Sequence, residues 1–234
     1  MLVVITGTSS GIGKAIAEKY LKQGYSVIGI SRKHTLVHEL YTAVQCDLSD
    51  SKAIEKLPVQ QWVNQPVLLI NNAGMLGEVK RLSDQEENIL DEVFAVNTIA
   101  PGLLMRLFVR ACGDRFPLTV VNISSGAAKR AIPSWAAYCA SKAALDMLSL
   151  AFYLEEQEKG RSTKVYSVAP GVVHTPMQAL IRKTNKEDFS AVNQFVDYYE
   201  NDELILPEIV ADKLQKLLDL PYDSAVIYSL REIS

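Results

Sequence analysis

Leu2, Val3, Val4 and Ile5 run directly into Thr6-Gly7-Thr8-Ser9-Ser10-Gly11-Ile12-Gly13, and a segment of helical period follows at once. A short apolar strand, a glycine-rich turn and a helix in immediate succession open a βαβ unit and point away from bundles and sandwiches. At such a junction glycines let the backbone pass close to a pyrophosphate lying on the helix N-terminus. Gly7, Ser9, Ser10, Gly11, Ile12 and Gly13 are therefore candidates for a dinucleotide cradle. Three glycines in a tight strand-to-helix turn can also be purely structural, so the rest of the chain has to choose between the readings.

The alternation continues to the end of the chain. Short apolar or β-branched runs at 2–6, 25–30, 42–46, 67–71, 118–123, 163–169 and 224–229 read as strands. Helical patterns separate them: 11–23, closed by Gly24 in the left-handed region; 135–159, with apolar Ala136, Ala140, Ala143, Ala144, Met147, Leu148 and Ala151; and a late helix from Pro207 to before Pro221. The polar stretch between Thr175 and Leu206 reads as a helical excursion over the active site. The expected fold is a single Rossmann-type, doubly wound parallel sheet of about seven strands flanked by helices, forming one domain over 1–234. With 48% apolar and 22% charged residues the chain has the composition to build its own core.

Several function classes fall away. The net charge of −3, without a Lys/Arg cluster, argues against nucleic acid. Cys46, Cys112 and Cys139 lack zinc or redox spacing and read as reduced thiols, so a cytoplasmic location is expected. The N-terminus lacks the regions of a signal peptide, and no stretch of 18 or more uncharged apolar residues suggests a membrane span. No metal is expected, because His174 has no second ligand at suitable spacing and reads as solvent-facing.

The second strand ends Ile30-Ser31-Arg32-Lys33. An NAD-selective site places an acid about twenty residues after the glycines, but the first carboxylate past this strand is Glu39. Ser31 and Arg32 instead offer a hydroxyl and a guanidinium to a 2′-phosphate, with Lys33 assisting, which favours NADP(H). A solvated basic turn is the alternative. Farther on, Tyr138 and Lys142 lie four residues apart on one helix face, where an ammonium near a phenol favours phenolate and improves it as an acid and base. Such pairs also arise by chance on helices. Ser125 follows a predicted strand end, where its hydroxyl can hold a substrate carbonyl.

With these residues, Asp47-Leu48, Asn71-Asn72-Ala73-Gly74, Asn97 and Pro170-Gly171-Val172-Val173-His174-Thr175 occur in an order that resembles the short-chain dehydrogenase/reductase family over essentially the whole chain. The resemblance implies a catalytic set of Asn97, Ser125, Tyr138 and Lys142. Ser125 would orient the carbonyl, Tyr138 would protonate its oxygen, Lys142 would reach the nicotinamide ribose, and Asn97 would hold a water linking Lys142 to solvent. Asp47 and Leu48 would border the adenine and Ala73 and Gly74 the adenosine ribose side, while Asn72, also at the cofactor site, and Asn122 would tie backbone strands together. Pro170 and Gly171 would meet the cofactor together with Val173 and Thr175, the last two at the carboxamide.

Trp135-Ala136-Ala137-Tyr138-Cys139-Ala140-Ser141-Lys142 and Thr175-Pro176-Met177-Gln178 resemble the sepiapterin reductase and benzil reductase branch, implying a small, often aromatic, vicinal dicarbonyl substrate. Its wall is expected from segments near 76–82, 126–135 and 176–204, with Trp135, Met177 and Phe189 as contacts. Sepiapterin reductases carry an acidic pterin anchor near the C-terminus, aligned here with Leu230 or a neighbour, Glu232 being the only nearby acid; this favours benzil-type reduction. The remaining alternatives are a sepiapterin reductase, a non-catalytic NADP-sensing protein, and an NAD-linked alcohol dehydrogenase, the last opposed by Arg32. The family also implies a homodimer or homotetramer built on helices near 98–112 and 135–159.

Overall fold

The apolar runs become strands because helices cover both faces of the sheet they form. The computed structural model describes residues 1–233; Ser234, the last residue of the tail, lies outside them. In chain order the elements are β1 (Leu2–Thr6), α1 (Gly11–Lys22), β2 (Val27–Ser31), β3 (Tyr41–Gln45), the short helices α2 (Ser51–Glu55) and α3 (Val59–Trp62), and β4 (Val67–Asn71). Next come α4 (Ile89–Phe94), a π-helical turn at Ala95–Ile99, α5 (Ala100–Cys112), β5 (Leu118–Ile123), α6 (Ala136–Glu158) and β6 (Lys164–Ala169). The chain closes with α7 (Pro176–Arg182), α8 (Val192–Glu200), α9 (Pro207–Asp219) and β7 (Ile227–Ser229).

Seven parallel strands make one sheet in the order β3-β2-β1-β4-β5-β6-β7. On one face Leu104, Met105 and Phe108 of α5 pack against Leu69, Val120 and Val165. On the other, Ile16 of α1 and Leu214 of α9 join Val3, Ile5, Ile70 and Tyr166. The continuous helical run Ile89–Cys112 has the length and composition of a membrane span, but its buried side chains are part of this core.

The expected boundaries shift where local chemistry intervenes. β2 begins at Val27, two residues late, because Gly24 turns at φ +81° and Tyr25 donates its N–H to Tyr20 O at 3.1 Å, with the two rings edge to face. β7 is only three residues long: Ser224 sits at φ +65° and Asp223 Oδ1 accepts from Ala225 N at 3.1 Å, a turn that holds 223–225 out of the ladder. The edge strand β3 is largely exposed rather than buried.

α6 runs where its pattern predicts, but the apolar stripe through Ala140, Ala143 and Met147 faces outward, with Met147 65% exposed. The buried face carries Tyr138, Ser141, Lys142, Leu145, Asp146 and Ser149. Polar residues occupy it because each finds a partner there. Ser149 Oγ accepts from Asn122 Nδ2 at 2.8 Å, and Asp146 Oδ1 accepts from Ser167 Oγ at 2.6 Å. The stretch after Thr175 is helical, as expected. Its α7 and α8 close over the strand ends, and Ser134 Oγ ties this excursion to the start of α6 by donating to Asp188 O at 2.5 Å.

Candidate active site

From β1 the chain winds outward through β2 and β3, then returns to β4 on the other side of β1. Strand order reverses there, so a crevice opens outside the carboxyl ends of the strands. A cleft of about 1340 Å³ follows it, from Arg32 and Asp47 at one end to Trp135 and Phe195 at the other.

Gly7 leaves β1 at φ +74°, a region that favours glycine. At Gly13 a Cβ would sit 2.3 Å from both Gly7 O and Asn72 Nδ2, so the turn closes only around a bare Cα. Asn72 laces β4 to the same turn: Nδ2 donates to Thr6 O at 2.9 Å and Gly7 O at 3.2 Å, while Thr6 Oγ1 accepts from the N–H groups of Asn72 and Ala73. Ser10 precedes α1 in extended conformation and makes no side-chain cap bond, which leaves the first N–H groups of this twelve-residue helix available to an anion.

Gly7, Ser9, Ser10, Gly11, Ile12, Arg32, Asp47, Leu48, Asn72, Ala73, Gly74, Pro170, Gly171, Val173 and Thr175 all line the cleft. Gly13 and Ser31 do not. Gly13 packs beneath the turn, and buried Ser31 uses its hydroxyl to accept from Thr8 N at 2.9 Å, leaving Arg32 and Lys33 to face the cleft at this end. Asp47 Oδ1 accepts from Ser49 N and Oγ, the backbone bond foremost in holding its carboxyl below the usual range.

Ser125, Tyr138 and Lys142 meet midway along the cleft. Ser125 stands just past β5, its Oγ accepting from Ala127 N at 3.2 Å, and it lines the cleft together with Tyr138, whose phenol pKa it draws downward. Lys142 Nζ lies 5.9 Å from the Tyr138 ring centroid and donates to Ile123 O at 2.7 Å. Burial pushes the Tyr138 phenol above its ordinary value, and Ser125 offsets this only in part. Burial, not Lys142, dominates the state of this phenol. The same burial lowers the lysine to about 8, against an opposing pull from Asp146. Asn97 stands apart from this trio. Its side chain is fully buried, Oδ1 accepting from Met75 N and Nδ2 donating to Met75 O and Ser141 Oγ, so it does not line the cleft. It is a neighbour nonetheless: a Cβ on Gly74 would lie 3.3 Å from Asn97 Oδ1 and 3.4 Å from Lys142 Nζ.

At the far end, Trp135 and Met177 line the cleft, but Phe189 does not. Phe189 is fully buried behind Trp135, stacked on it at 5.4 Å, and Phe195 takes the cleft wall instead. Leu76, Ile132 and Ile181 complete an apolar surface. Cys139 packs against this cluster, and exposed His174 stacks on Tyr199. Two residues that the sequence reading passed over, Arg130 and Arg231, also face the cleft. Leu230 lies in the core, and Glu232 borders a smaller adjoining cavity of about 210 Å³.

The family model for short chain dehydrogenases matches residues 1–186. A Bacillus subtilis benzil reductase ((S)-benzoin forming) is 36% identical over 239 residues, covering 99% of this chain and 98% of the relative. Its Bacillus cereus counterpart is 36% identical, with 93% of each chain covered. Mouse sepiapterin reductase is 31% identical over 79% of this chain and 78% of its own length. Among solved structures, the KRED1-Pglu enzyme superposes with a TM-score of 0.82 at 26% identity, covering 97% of this chain and 99% of that one. The chain belongs to the short-chain dehydrogenase family of oxidoreductases and is similar to its benzil and sepiapterin reductases.

Proposed function

We propose that the protein is an NADPH-dependent carbonyl reductase acting on small vicinal dicarbonyl compounds, with Tyr138 as proton donor. The observation that carries this reading is the meeting of Ser125, Tyr138 and Lys142 midway along the cleft, between a glycine cradle and an apolar wall. The residues present fit a nicotinamide dinucleotide. The turn at Gly7 and Gly13 is compact enough for backbone to approach a pyrophosphate, and α1 presents unpaired N–H groups to it. Arg32 and Lys33 line the cleft where a 2′-phosphate would sit, and Asp47, which lines the same end, is engaged by Ser49.

When bound, the reduced nicotinamide supplies a hydride to the carbonyl carbon. The chain's own residues do the rest. Ser125 and Tyr138 hold the carbonyl oxygen through their hydroxyls, and Tyr138 transfers its proton to that oxygen. Its raised pKa keeps the phenol protonated at neutral pH, the form a reduction uses. Lys142, charged below about pH 8, stabilises negative charge developing nearby. Trp135, Ile181 and Phe195 bind the apolar part of the substrate and exclude water. The outward apolar stripe of α6, with exposed Met147 and Leu154, supports self-association through this helix and α5.

Loss of NADPH absorbance should follow addition of benzil or 1-phenyl-1,2-propanedione, and NADH should be a poor substitute. In Arg32→Ala the NADPH Kd should rise about tenfold or more while that of NADH stays within about threefold. Equal effects on both cofactors would refute the NADP assignment. Tight NADPH binding without turnover of any dicarbonyl would refute the reductase reading.

A further inference from the structure

Close to the C-terminus the chain turns a guanidinium into the cleft. Arg231 follows β7 by two residues, its backbone N–H donating to Ser229 Oγ at 3.3 Å. Its side chain crosses over Gly171, with Nε 3.4 Å and Cγ 3.8 Å from where a Cβ on that glycine would be. Gly171 is tightly overlaid, because Ile205 Cδ1 lies 2.9 Å from the same point. Leu230 N donates to Ala169 O at 3.0 Å, which fixes the tail at the carboxyl end of β6.

Ser125 lies nearby. It and Ser229 both border the main cleft and the small adjoining cavity, so the tail passes directly beside the Ser125 loop. Among the described residues Arg231 has neither an ion pair nor a side-chain hydrogen bond, and Arg130, also facing the cleft, has no acidic partner either. Of the acids around the two cavities, Glu92 accepts from Asn88 Nδ2 at 2.6 Å, and Glu232, which borders the smaller one, forms no ion pair with Arg231 among the described residues. The cleft that holds the reacting centre therefore carries an aromatic wall and, over Gly171, an exposed guanidinium with no ion pair.

We infer that the preferred substrates are aryl 2-oxo acids, vicinal dicarbonyl compounds whose second carbonyl belongs to a carboxylate, and that Arg231 pairs with that carboxylate. This rests on the reductase reading above and narrows its substrate class. A planar guanidinium matches a carboxylate in a bidentate fork, whereas a neutral ketone oxygen uses only one of its donors. Trp135 and Phe195 receive the aryl group. In the reaction the ketone C=O π bond breaks, a C–H bond forms with hydride from the reduced nicotinamide, and an O–H bond forms with the proton of Tyr138. A 2-hydroxy acid and oxidised cofactor result, and solvent reprotonates Tyr138. The carboxylate is unchanged.

The test compares phenylglyoxylate with its neutral methyl ester, alongside benzil, in the wild type and in Arg231→Gln. The wild type should favour the acid over the ester by about tenfold or more in kcat/KM. Arg231→Gln should remove that preference, mainly through KM, while ester and benzil turnover and the NADPH KM change less than about threefold. Arg231→Lys, which keeps the charge without the fork, should fall between them. Equal use of acid and ester by the wild type overturns the inference. So does a loss in Arg231→Gln shared by both compounds, or one seen in the NADPH KM, which would make Arg231 a cofactor contact. Benzil separates the two levels: its turnover without a preference for the acid defeats this inference alone, whereas no turnover of any of the three defeats the reductase reading.

Discussion

Lys142 donates its ammonium to the carbonyl oxygen of Ile123, 2.7 Å away at the carboxyl end of β5, from a position only 4% exposed. That single bond holds the lysine across the strand end that also carries Ser125. Burial of the charge has a cost that can be read in stability. The lysine falls from 10.5 to about 8 on folding, so between those values the unfolded chain binds more protons. The penalty is complete below pH 8, of order 3 kcal/mol at most, and vanishes as pH rises past 10.5. Lys142→Met should therefore unfold at higher denaturant than the wild type at pH 7, by about 1–2 kcal/mol after loss of the Ile123 bond. The gap should close by pH 10.5. A variant less stable than the wild type at pH 7 would contradict this account of the site.

Lys142 and Tyr138 together should set the alkaline side of the activity profile. As pH rises through about 8, Lys142 loses its charge while Tyr138, pushed above its ordinary value, keeps its proton. The kcat/KM for carbonyl reduction should fall above pH 8 with the slope of one proton. In Lys142→Arg the charge persists, so a lower but flatter profile is expected into the alkaline range. A wild-type limb appearing only near the titration of an ordinary phenol would assign it to Tyr138 instead.

Gly13 is the least replaceable residue of the turn. An added methyl would meet Gly7 O and Asn72 Nδ2 at 2.3 Å, both fixed by hydrogen bonds. Gly13→Ala should destabilise by about 1–3 kcal/mol and weaken cofactor binding more than Ala substitution at Ser9, whose side chain makes no hydrogen bond among those described. Denaturant titration and NADPH fluorescence measure the two effects separately. Unchanged values would show that the turn is looser than its packing indicates.

The sequence was most legible where one residue type answers one geometric demand. The glycines of 7–13, the apolar runs of β1, β4 and β5, and the Tyr138/Lys142 spacing predicted the sheet and the centre of the cleft. Sequence patterning left α6 undecided. Its apolar stripe is open to packing on the sheet or on a second subunit, and Ala140, Ala143 and Met147 of it face outward; the buried face instead carries polar groups satisfied by Asn122, Ser167 and Ile123, which lie on strands remote in sequence. Ser31 and Phe189 were misplaced for a related reason: whether a strand-end hydroxyl or a loop aromatic faces a cleft depends on partners such as Thr8 N and Trp135, which come together only in the fold. Arg231 was passed over because reading the tail for an anchoring acid drew attention to Glu232, one residue away.

The most direct test of the central claim is single-turnover oxidation of bound NADPH by 1-phenyl-1,2-propanedione in the wild type and in Tyr138→Phe, with the NADPH Kd measured on the same samples. The substitution removes one oxygen from a buried ring packed edge-on against Trp135 at 5.8 Å and leaves the cradle untouched. The account predicts a rate lower by about 10² to 10⁴ with the Kd within about threefold of the wild type, because general acid catalysis contributes in that range. Full turnover by Tyr138→Phe would place the proton donor elsewhere and contradict it.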